Sequence, residues 1–178
     1  MSGDPGDELV DIVDGDDEVV GTVTRSRMRR ERLRHRTAFI VISSTDGRLL
    51  VHRRSEDKDV WPGRWDLAVG GVVGSGESYE QAARRELAEE VGVTDAEPHE
   101  VTVGRYADDD VDLVAHVFRI VHDGPFRFAD GEVVEARWVD RPGLDALVAE
   151  AAFVPDSLAL LTDEIRFPFS PPRDPQER

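Results

Sequence analysis

The segment at residues 71–93, GVVGSGESYEQAARRELAEEVGV, leads from a glycine-rich turn into a helical pattern that carries three acidic side chains. Glu86, Glu89 and Glu90 have the i, i+3, i+4 spacing that places side chains on one helix face, with Cβ atoms about 5–6 Å apart. Carboxylates this close repel one another, so the fold must either expose them to water or gather them around a cation. The folded chain must therefore accommodate three neighbouring acidic side chains on the helix that follows the glycine-rich turn.

The residues around this pattern contain signals for both ends of a helix. Ser78 and Gln81 have the spacing of a capping box, in which two side chains satisfy backbone N–H groups of the first turn. Gly92 stands where a left-handed residue ends many helices. The apolar stripe that should pack on the domain is formed by Ala83, Leu87 and Val91. The preceding VGGVV predicts a strand that leads into the turn.

The same segment resembles the Nudix box. The family pattern is Gly, five residues, Glu, seven residues, Arg-Glu, an aliphatic residue, any residue, Glu-Glu, any residue, Gly and an aliphatic residue. All its specified positions are present, namely Gly71, Glu77, Arg85, Glu86, Leu87, Glu89, Glu90, Gly92 and Val93. The resemblance implies an α/β fold, the Nudix α/β/α sandwich with a mixed β-sheet.

The resemblance also implies roles for single residues. Glu86, Glu89 and Glu90 match the family's magnesium ligands, and Glu89 or Glu90 would also act as the base on the attacking water. Gly71 matches the glycine whose carbonyl often completes the metal shell. Magnesium prefers hard oxygen ligands and commonly bridges to substrate phosphates, so the residue types agree with this role. Mn²⁺ is an alternative cation for the same ligands.

Structural explanations exist for the same side chains. A run of acids on a helix is commonly a solvated face, and this chain has a net charge of −16. The Arg-Glu spacing and the glycine turn favour a metal role for the three glutamates. For Glu77 and Arg85, a salt bridge that braces the loop against the helix is the preferred interpretation.

Composition narrows the function classes further. The chain has no cysteine, which excludes thiol nucleophiles, disulfides and zinc–thiolate sites. The acidic net charge argues against binding to nucleic acid or to anionic membranes. A small diphosphate substrate would need cations close to its site to offset this charge. No apolar run reaches membrane-spanning length, and the acidic N-terminus lacks the basic and apolar order of a signal peptide. We expect a cytoplasmic protein, and a homodimer would fit the family.

The length predicts one domain over residues 9–167, between a disordered segment at 1–8 and a loose proline-rich tail at 168–178. Strands are predicted at 9–13, 19–24, 38–42, 49–53, 65–73, 99–106, 111–121 and 133–139. Helices are predicted at 26–34, 81–91, 143–149 and 157–165. The strands at 38–42 and 49–53 should pair as a hairpin across the turn at 45–48.

Several charged residues outside the box are weaker candidates for substrate or metal contacts. Arg53, Arg54 and Lys58 are candidate phosphate ligands, with surface charge as the alternative; Arg53 and Arg54 are adjacent on a strand, so at most one faces a cleft. The family often draws a further metal ligand or base from a late loop. Glu135, preferred to Glu132, is the candidate for that role, with a solvated loop edge as the alternative.

Segments outside the box resemble the isopentenyl-diphosphate isomerase-like branch of the Nudix proteins. The segments LRHRTAFIVI, LLVHRRSEDKD and WPGRWDLAVGGVV carry this resemblance. The isomerases use a cysteine and a metal-binding histidine in the strand before the box, and Gly70 and Val72 take those positions here. His35 matches another metal histidine, but without its partner a structural role is preferred.

The intact box and the missing cysteine favour a Mg²⁺-dependent hydrolase that cleaves a diphosphate bond in a small metabolite. The substrate would be a nucleoside diphosphate derivative, an isoprenoid diphosphate or a related compound. One alternative is an isomerase with altered catalytic residues, although allylic isomerisation needs an acid or base on each face of the alkene. The other is a module that binds a nucleotide without turnover, which loss of box carboxylates would have supported.

Overall fold

The computed structural model describes residues 5–129 and 131–162. Its strands are β1 (Leu9–Val13), β2 (Val19–Thr24), β3 (His35–Ser43), β4 (Leu49–Arg54), β5 (Trp65–Asp66), β6 (Val69–Val72), β7 (His99–Ala107), β8 (Asp112–Val121) and β9 (Val133–Val139). Its α-helices are α1 (Arg25–Glu31), α2 (Tyr79–Val91), α3 (Arg141–Glu150) and α4 (Pro155–Leu161).

The chain ends are described only in part. A short 3-10 turn covers Pro5–Asp7, so the predicted disordered segment 1–8 contains local structure from residue 5. Residues 1–4, the predicted tail at 168–178 and the last three residues of the helix predicted at 157–165 lie outside the described residues.

Strand β3 is the centre of a mixed sheet. It pairs in parallel with β8 from His35 to Ser43, and antiparallel with β6 from Thr37 to Ile40. Strands β1 and β2 form an antiparallel hairpin beside it, and β7 pairs antiparallel with β8. The pairing of β6 with β3 therefore places the start of the box segment beside the central strand of the sheet.

The predicted hairpin between β3 and β4 was wrong over most of its length. These two strands pair only at the turn, where Ser43 lies opposite Leu49. A strand has two edges, and β6 and β8 take both edges of β3. Strand β4 instead pairs antiparallel with β9 along its whole length, and briefly with β5.

Two apolar clusters occupy the two faces of the sheet. Phe39 and Val41 of β3 face a cluster that includes Leu144 of α3 and Leu161 of α4. The alternate β3 residues, Ala38, Ile40 and Ile42, face a second cluster with the apolar side of α2. Because successive strand side chains point to opposite faces, β3 supports helices on both sides. The predicted α/β/α sandwich is confirmed.

The predicted ends of the box helix are also confirmed. Ser78 and Gln81 form the reciprocal capping box, and Gly92 ends α2 in the left-handed conformation with φ 71°. The stripe of Ala83, Leu87 and Val91 is buried under the sheet. Within residues 5–129 and 131–162, no helix is both long enough and apolar enough to cross a membrane.

Candidate active site

Helix α2 delivers the three box carboxylates to a cleft of about 560 Å³. Glu86 and Glu90 are buried, at 8% and 4% relative exposure, whereas the Glu89 side chain is 57% exposed. All three line the same cleft. The helix face is therefore divided, with two acids inside the cleft and one toward solvent.

Arg85 joins the turn before the helix to the carboxylates on it. Its Nε and Nη2 each donate to Glu77 at 3.0 Å, and its Nη2 also donates to the Val72 carbonyl at 3.1 Å. Its Nη1 donates to Glu86 at 2.6 Å and to Glu89 at 3.2 Å. The predicted salt bridge between Glu77 and Arg85 is confirmed.

Lys58 is the second cation beside the carboxylates. Its Nζ lies 3.6 Å from Glu90 Oε1 and also donates to Glu132. The other oxygen of Glu90 accepts the backbone N–H of Gly70 at 3.2 Å. Lys58 and Arg85 together offset the repulsion that the helical spacing of the acids creates.

Burial perturbs the protonation of these groups. Desolvation, followed by the neighbouring charge of Glu86, raises the pKa of Glu90 to about 7. Desolvation also raises the pKa of Glu86 and lowers the pKa of Lys58. A cation between the two buried carboxylates would favour their ionised forms because it lowers the electrostatic cost of burying them.

Two glycines allow strand β6 to lie close to both its neighbours, the carboxylate of Glu86 and the backbone of β3. A Cβ atom at Gly71 would lie 2.4 Å from Glu86 Oε1, so only glycine keeps the backbone this close to the acid. Gly70 has φ 149°, and a Cβ atom there would lie 2.0 Å from the Ala38 carbonyl oxygen. Gly71 thus makes room for Glu86, whereas Gly70 makes room for the neighbouring backbone of β3.

The donor set fits a hard divalent cation. Glu86, Glu89 and Glu90 offer only carboxylate oxygens, which suit Mg²⁺ or Mn²⁺. In the part of the chain that the structure describes, no three acid or histidine groups converge in a ready-made metal cluster. Arg85 and Lys58 pair with the carboxylates instead.

The structure distinguishes among the predicted phosphate ligands. Arg54 and Lys58 line the cleft, whereas Arg53 does not. Arg53 lies 3.6 Å from Glu135 and 3.7 Å from Glu56. The alternation of strand side chains explains why only one of the two adjacent arginines faces the cleft.

Glu135 does not join the box carboxylates. It lies opposite Arg53 in the pairing of β4 with β9, and it accepts from Arg137 Nε at 2.7 Å. Glu132, in the loop before β9, lines the cleft and bonds Lys58. The preference for Glu135 over Glu132 is therefore corrected, because the register of β9 directs Glu135 toward Arg53.

Sequence reasoning missed a second group of polar residues in the cleft. Asp66 of β5, Asp156 of α4 and Arg29 of α1 all line it and are largely buried. Asp66 lies 3.7 Å from Arg54 Nη1. These residues are far apart in sequence and belong to no motif, so no sequence signal could have grouped them.

His35 also lines the cleft but is built into the fold. Its ring is 2% exposed, and its Nδ1 lies 3.0 Å from the Leu33 carbonyl oxygen. Burial lowers its pKa to about 4, so the ring is neutral at physiological pH. These contacts agree with the structural role expected for His35.

Comparison with known proteins shows the family of this chain. The family model of the NUDIX domain matches residues 33–161. The chain belongs to the Nudix family. An uncharacterized Nudix hydrolase of Pseudomonas aeruginosa is 41% identical over 157 residues, covering 86% of this chain and 91% of that protein. Another, of Yersinia pestis, is 39% identical over 155 residues, covering 87% and 84%.

A solved structure gives the same result. The crystal structure of DR0079 from Deinococcus radiodurans matches with a TM-score of 0.73 at 28% identity, covering 92% of this chain and 100% of that one. With these relatives, the protein is a Nudix pyrophosphohydrolase, an enzyme that acts on acid anhydrides in small molecules. Its box carboxylates lie in the cleft described above.

Proposed function

We propose that this Nudix enzyme is a Mg²⁺-dependent hydrolase that cleaves a diphosphate bond in a small metabolite. The observation that carries the proposal is the cleft in which Glu86 and Glu90 are buried beside Gly71, with Glu89 toward solvent. Buried carboxylates are costly unless a cation compensates them, and a divalent ion would keep Glu90 compensated once a diphosphate draws Lys58 away.

The residues around the cleft have two proposed roles, metal binding and activation of water. Glu86, Glu89, Glu90 and the Gly71 carbonyl would hold Mg²⁺, and Mn²⁺ should replace it. A bound divalent cation neutralises diphosphate charge and assists the attack of water. Glu89 or Glu90 would take the proton from that water, because both lie at the cleft and one is open to solvent.

The cations of the cleft would hold the substrate. Lys58 lies next to Glu90, so it would contact the phosphate oxygens once the diphosphate draws it from that acid. Arg54 lies beside Asp66 and would contact the substrate from that side of the cleft. Glu132 replaces Glu135 as the late-loop acid, since it reaches the cleft and bonds Lys58.

The resemblance to the isopentenyl-diphosphate isomerase-like branch remains a proposal about ancestry and does not extend to isomerase activity. A cysteine at position 70 would place its Cβ atom 2.0 Å from the Ala38 carbonyl, so β3 would have to move. Val72, at the position of the isomerase histidine, is an apolar residue buried beside Val10 and Met28. Neither position supplies an acid, a base or a ligand.

The remaining sequence expectations also stay proposals. They are a cytoplasmic location, no nucleic-acid or membrane partner, a homodimer, and a single Nudix domain over residues 9–167. Analytical ultracentrifugation of the purified chain would test the homodimer.

A phosphate-release screen over a broad panel of diphosphates, with Mg²⁺ and Mn²⁺, tests the function. We expect metal-dependent release of phosphate or a monophosphate from at least one compound. Glu90→Gln should lower that turnover by about 10² or more while the protein stays folded. Glu80→Gln is the matched control, because Glu80 is an exposed acid in the first turn of the same helix.

Two results would overturn the proposal. The first is wild-type turnover in Glu90→Gln on a substrate confirmed with the native enzyme. The second is metal-dependent entry of deuterium into isopentenyl diphosphate, seen by proton NMR in deuterated buffer and lost in Glu90→Gln. The second result would favour the isomerase instead.

A further inference from the structure

The proposed hydrolysis gives no role to a buried carboxylate of the cleft, that of Asp156. Asp156 lies in the first turn of α4, is 4% exposed and lines the cleft. Its Oδ1 has no hydrogen-bond partner among the described residues. A buried acceptor without a partner destabilises a fold, so a side chain of this kind is usually completed by water or a ligand.

No cation pairs directly with Asp156 within residues 5–129 and 131–162. Charged groups act on it from three elements: Asp66 of β5 repels its charge, whereas Arg54 of β4 and Arg29 of α1 attract it. Burial, together with the charge of Asp66, raises the pKa of Asp156 to about 8. The carboxyl group is therefore mostly neutral at pH 7, which explains how the fold keeps it without a counter-ion.

Arg54 offers a donor in the same region. Its Nη2 donates to the Val60 carbonyl at 3.1 Å, which fixes the guanidinium group, while its Nε is buried and has no hydrogen-bond partner in the described part of the chain. The cleft lining thus contains one acceptor, Asp156 Oδ1, and two donors, Arg54 Nε and Arg29 Nε, that no described residue satisfies. A ligand with neighbouring donor and acceptor atoms would complete Asp156 Oδ1 and Arg54 Nε.

The remaining walls of this region suit a flat ring. Apolar side chains from β3, β8 and neighbouring loops line the cleft, namely Phe39, Ala68, Val111, Leu113 and Val154. Trp61 adds an indole ring to the lining, and its Nε1 is tied to Asp110 at 3.2 Å. Aromatic and apolar walls with a few polar groups are typical of sites for heterocyclic ligands.

We propose that Asp156 is a specificity-determining residue, and that its Oδ1 accepts an N–H from a heterocyclic base on the substrate. Arg54 Nε would donate to the adjacent ring nitrogen or carbonyl of the same base. The inference rests on the proposed function and narrows it to nucleotide-like diphosphates. Diphosphates without an N–H donor, such as isoprenoid diphosphates, would leave Asp156 without a partner and bind more weakly.

Isothermal titration calorimetry with Mg²⁺ present tests this without requiring turnover. The probes are α,β-methylene-ADP and α,β-methylene-GDP, which carry a base, and methylenediphosphonate, which does not. We expect the native protein to bind at least one base-bearing probe about tenfold or more tighter than methylenediphosphonate. Asp156→Ala should remove most of that difference and leave the affinity for methylenediphosphonate unchanged.

Asp145→Ala is the matched control, because it removes an exposed acid of α3 that is not part of the cleft lining. Asp156→Asn, which keeps the volume and one acceptor oxygen, should retain more of the base preference than Asp156→Ala. If neither Asp156 variant folds, the native protein alone decides. Equal affinity for probes with and without a base would overturn the inference.

The two proposals can fail separately. Base-dependent binding through Asp156 without turnover of any diphosphate would leave the subsite standing and reject the hydrolase. Turnover that is as efficient on isoprenoid diphosphates as on nucleotide-like ones, with no effect of Asp156→Ala, would keep the hydrolase and reject the subsite.

Discussion

At the scale of single residues, the unusual feature of this protein is how many acids it buries in one cleft. Glu86, Glu90, Asp66 and Asp156 are each buried there. Three of them have a cation nearby, and Asp156 has no direct ion pair in the described part of the chain. The fold keeps Asp156 neutral, which has a measurable effect on stability.

We predict that Asp156 makes the free energy of unfolding fall as pH rises. Its pKa is raised from 3.8 in the unfolded chain to about 8 in the folded protein. Between these values the folded state binds more protons than the unfolded state, so rising pH destabilises it by up to about 1.4 kcal/mol per pH unit. The effect is absent below about pH 4 and complete above about pH 8.

Denaturant unfolding of the native protein and Asp156→Asn at pH 5, 6, 7 and 8 measures this slope. Glu90 titrates in the same range, so the difference between the two proteins is the quantity to follow. The amide cannot ionise, and the variant should therefore gain relative stability toward pH 8. Parallel curves for the two proteins would contradict the prediction.

At the scale of secondary-structure elements, Arg85 connects β6, the turn and α2. It contacts Val72, Glu77, Glu86 and Glu89 through three nitrogen atoms. Its removal would leave a backbone carbonyl and two partly buried acids without their donor. The position of α2 against the sheet depends on these bonds, because the turn has no apolar side chains of its own between Gly74 and Ser78.

We predict that Arg85→Ala lowers the free energy of unfolding by about 2–3 kcal/mol, since breaking this partly buried ion-pair network leaves Glu77 and Glu86 without their cation. Arg85→Lys should recover part of this loss, because an ammonium group keeps the charge but cannot make the paired hydrogen bonds of a guanidinium group. Arg84→Ala is the control: Arg84 is exposed on the same helix and pairs with Glu97. Equal melting temperatures for Arg84→Ala and Arg85→Ala would refute the prediction.

A second prediction concerns the contact between β6 and β3. Gly70→Ala should lower stability by about 3 kcal/mol or more, because its Cβ atom would lie 2.0 Å from the Ala38 carbonyl. Gly76→Ala should cost only about 1 kcal/mol, since its φ is 75° but no atom of the described residues lies within 4 Å of the added Cβ. Thermal melts of both variants compare crowding with backbone strain, and a larger loss for Gly76→Ala would contradict this account.

At the scale of the whole molecule, the net charge of −16 opposes the compact state. Salt should screen this repulsion and stabilise the fold, whatever cation is added. Stabilisation by a metal bound at a specific site must therefore be distinguished from stabilisation by salt screening. Only a bound metal would depend on the buried carboxylates of the cleft.

We predict that Mg²⁺ raises the melting temperature more than NaCl at the same ionic strength. Binding to the folded state alone stabilises it by mass action, by about 2.7 kcal/mol at 100 times the dissociation constant. EDTA should reverse the effect, Glu90→Gln should abolish it, and the exposed-site variant Glu80→Gln should keep it. Identical melts in Mg²⁺ and matched NaCl would count against the metal site.

The sequence by itself determined the features that depend on near neighbours in the chain. Strands β1, β2 and β9 occupy the predicted residues, and Ser78, Gln81 and Gly92 form the predicted ends of α2. Capping, turn geometry and amphipathic spacing act over a few residues, so a sequence pattern is enough to predict them. The Nudix box is local in the same sense, since all its specified positions lie on one turn and one helix.

Only the tertiary structure decided which distant residues meet. Strand β4 pairs with β9 because β3 already has a neighbour on each edge, and that register takes Glu135 to Arg53 and leaves Glu132 with Lys58. Asp156 reaches the cleft because the segment just before α4 pairs with β5, through backbone hydrogen bonds of Trp65 with Ala152 and Val154. Such contacts arise from strand edges and packed faces far apart in sequence, where no local pattern records the partner.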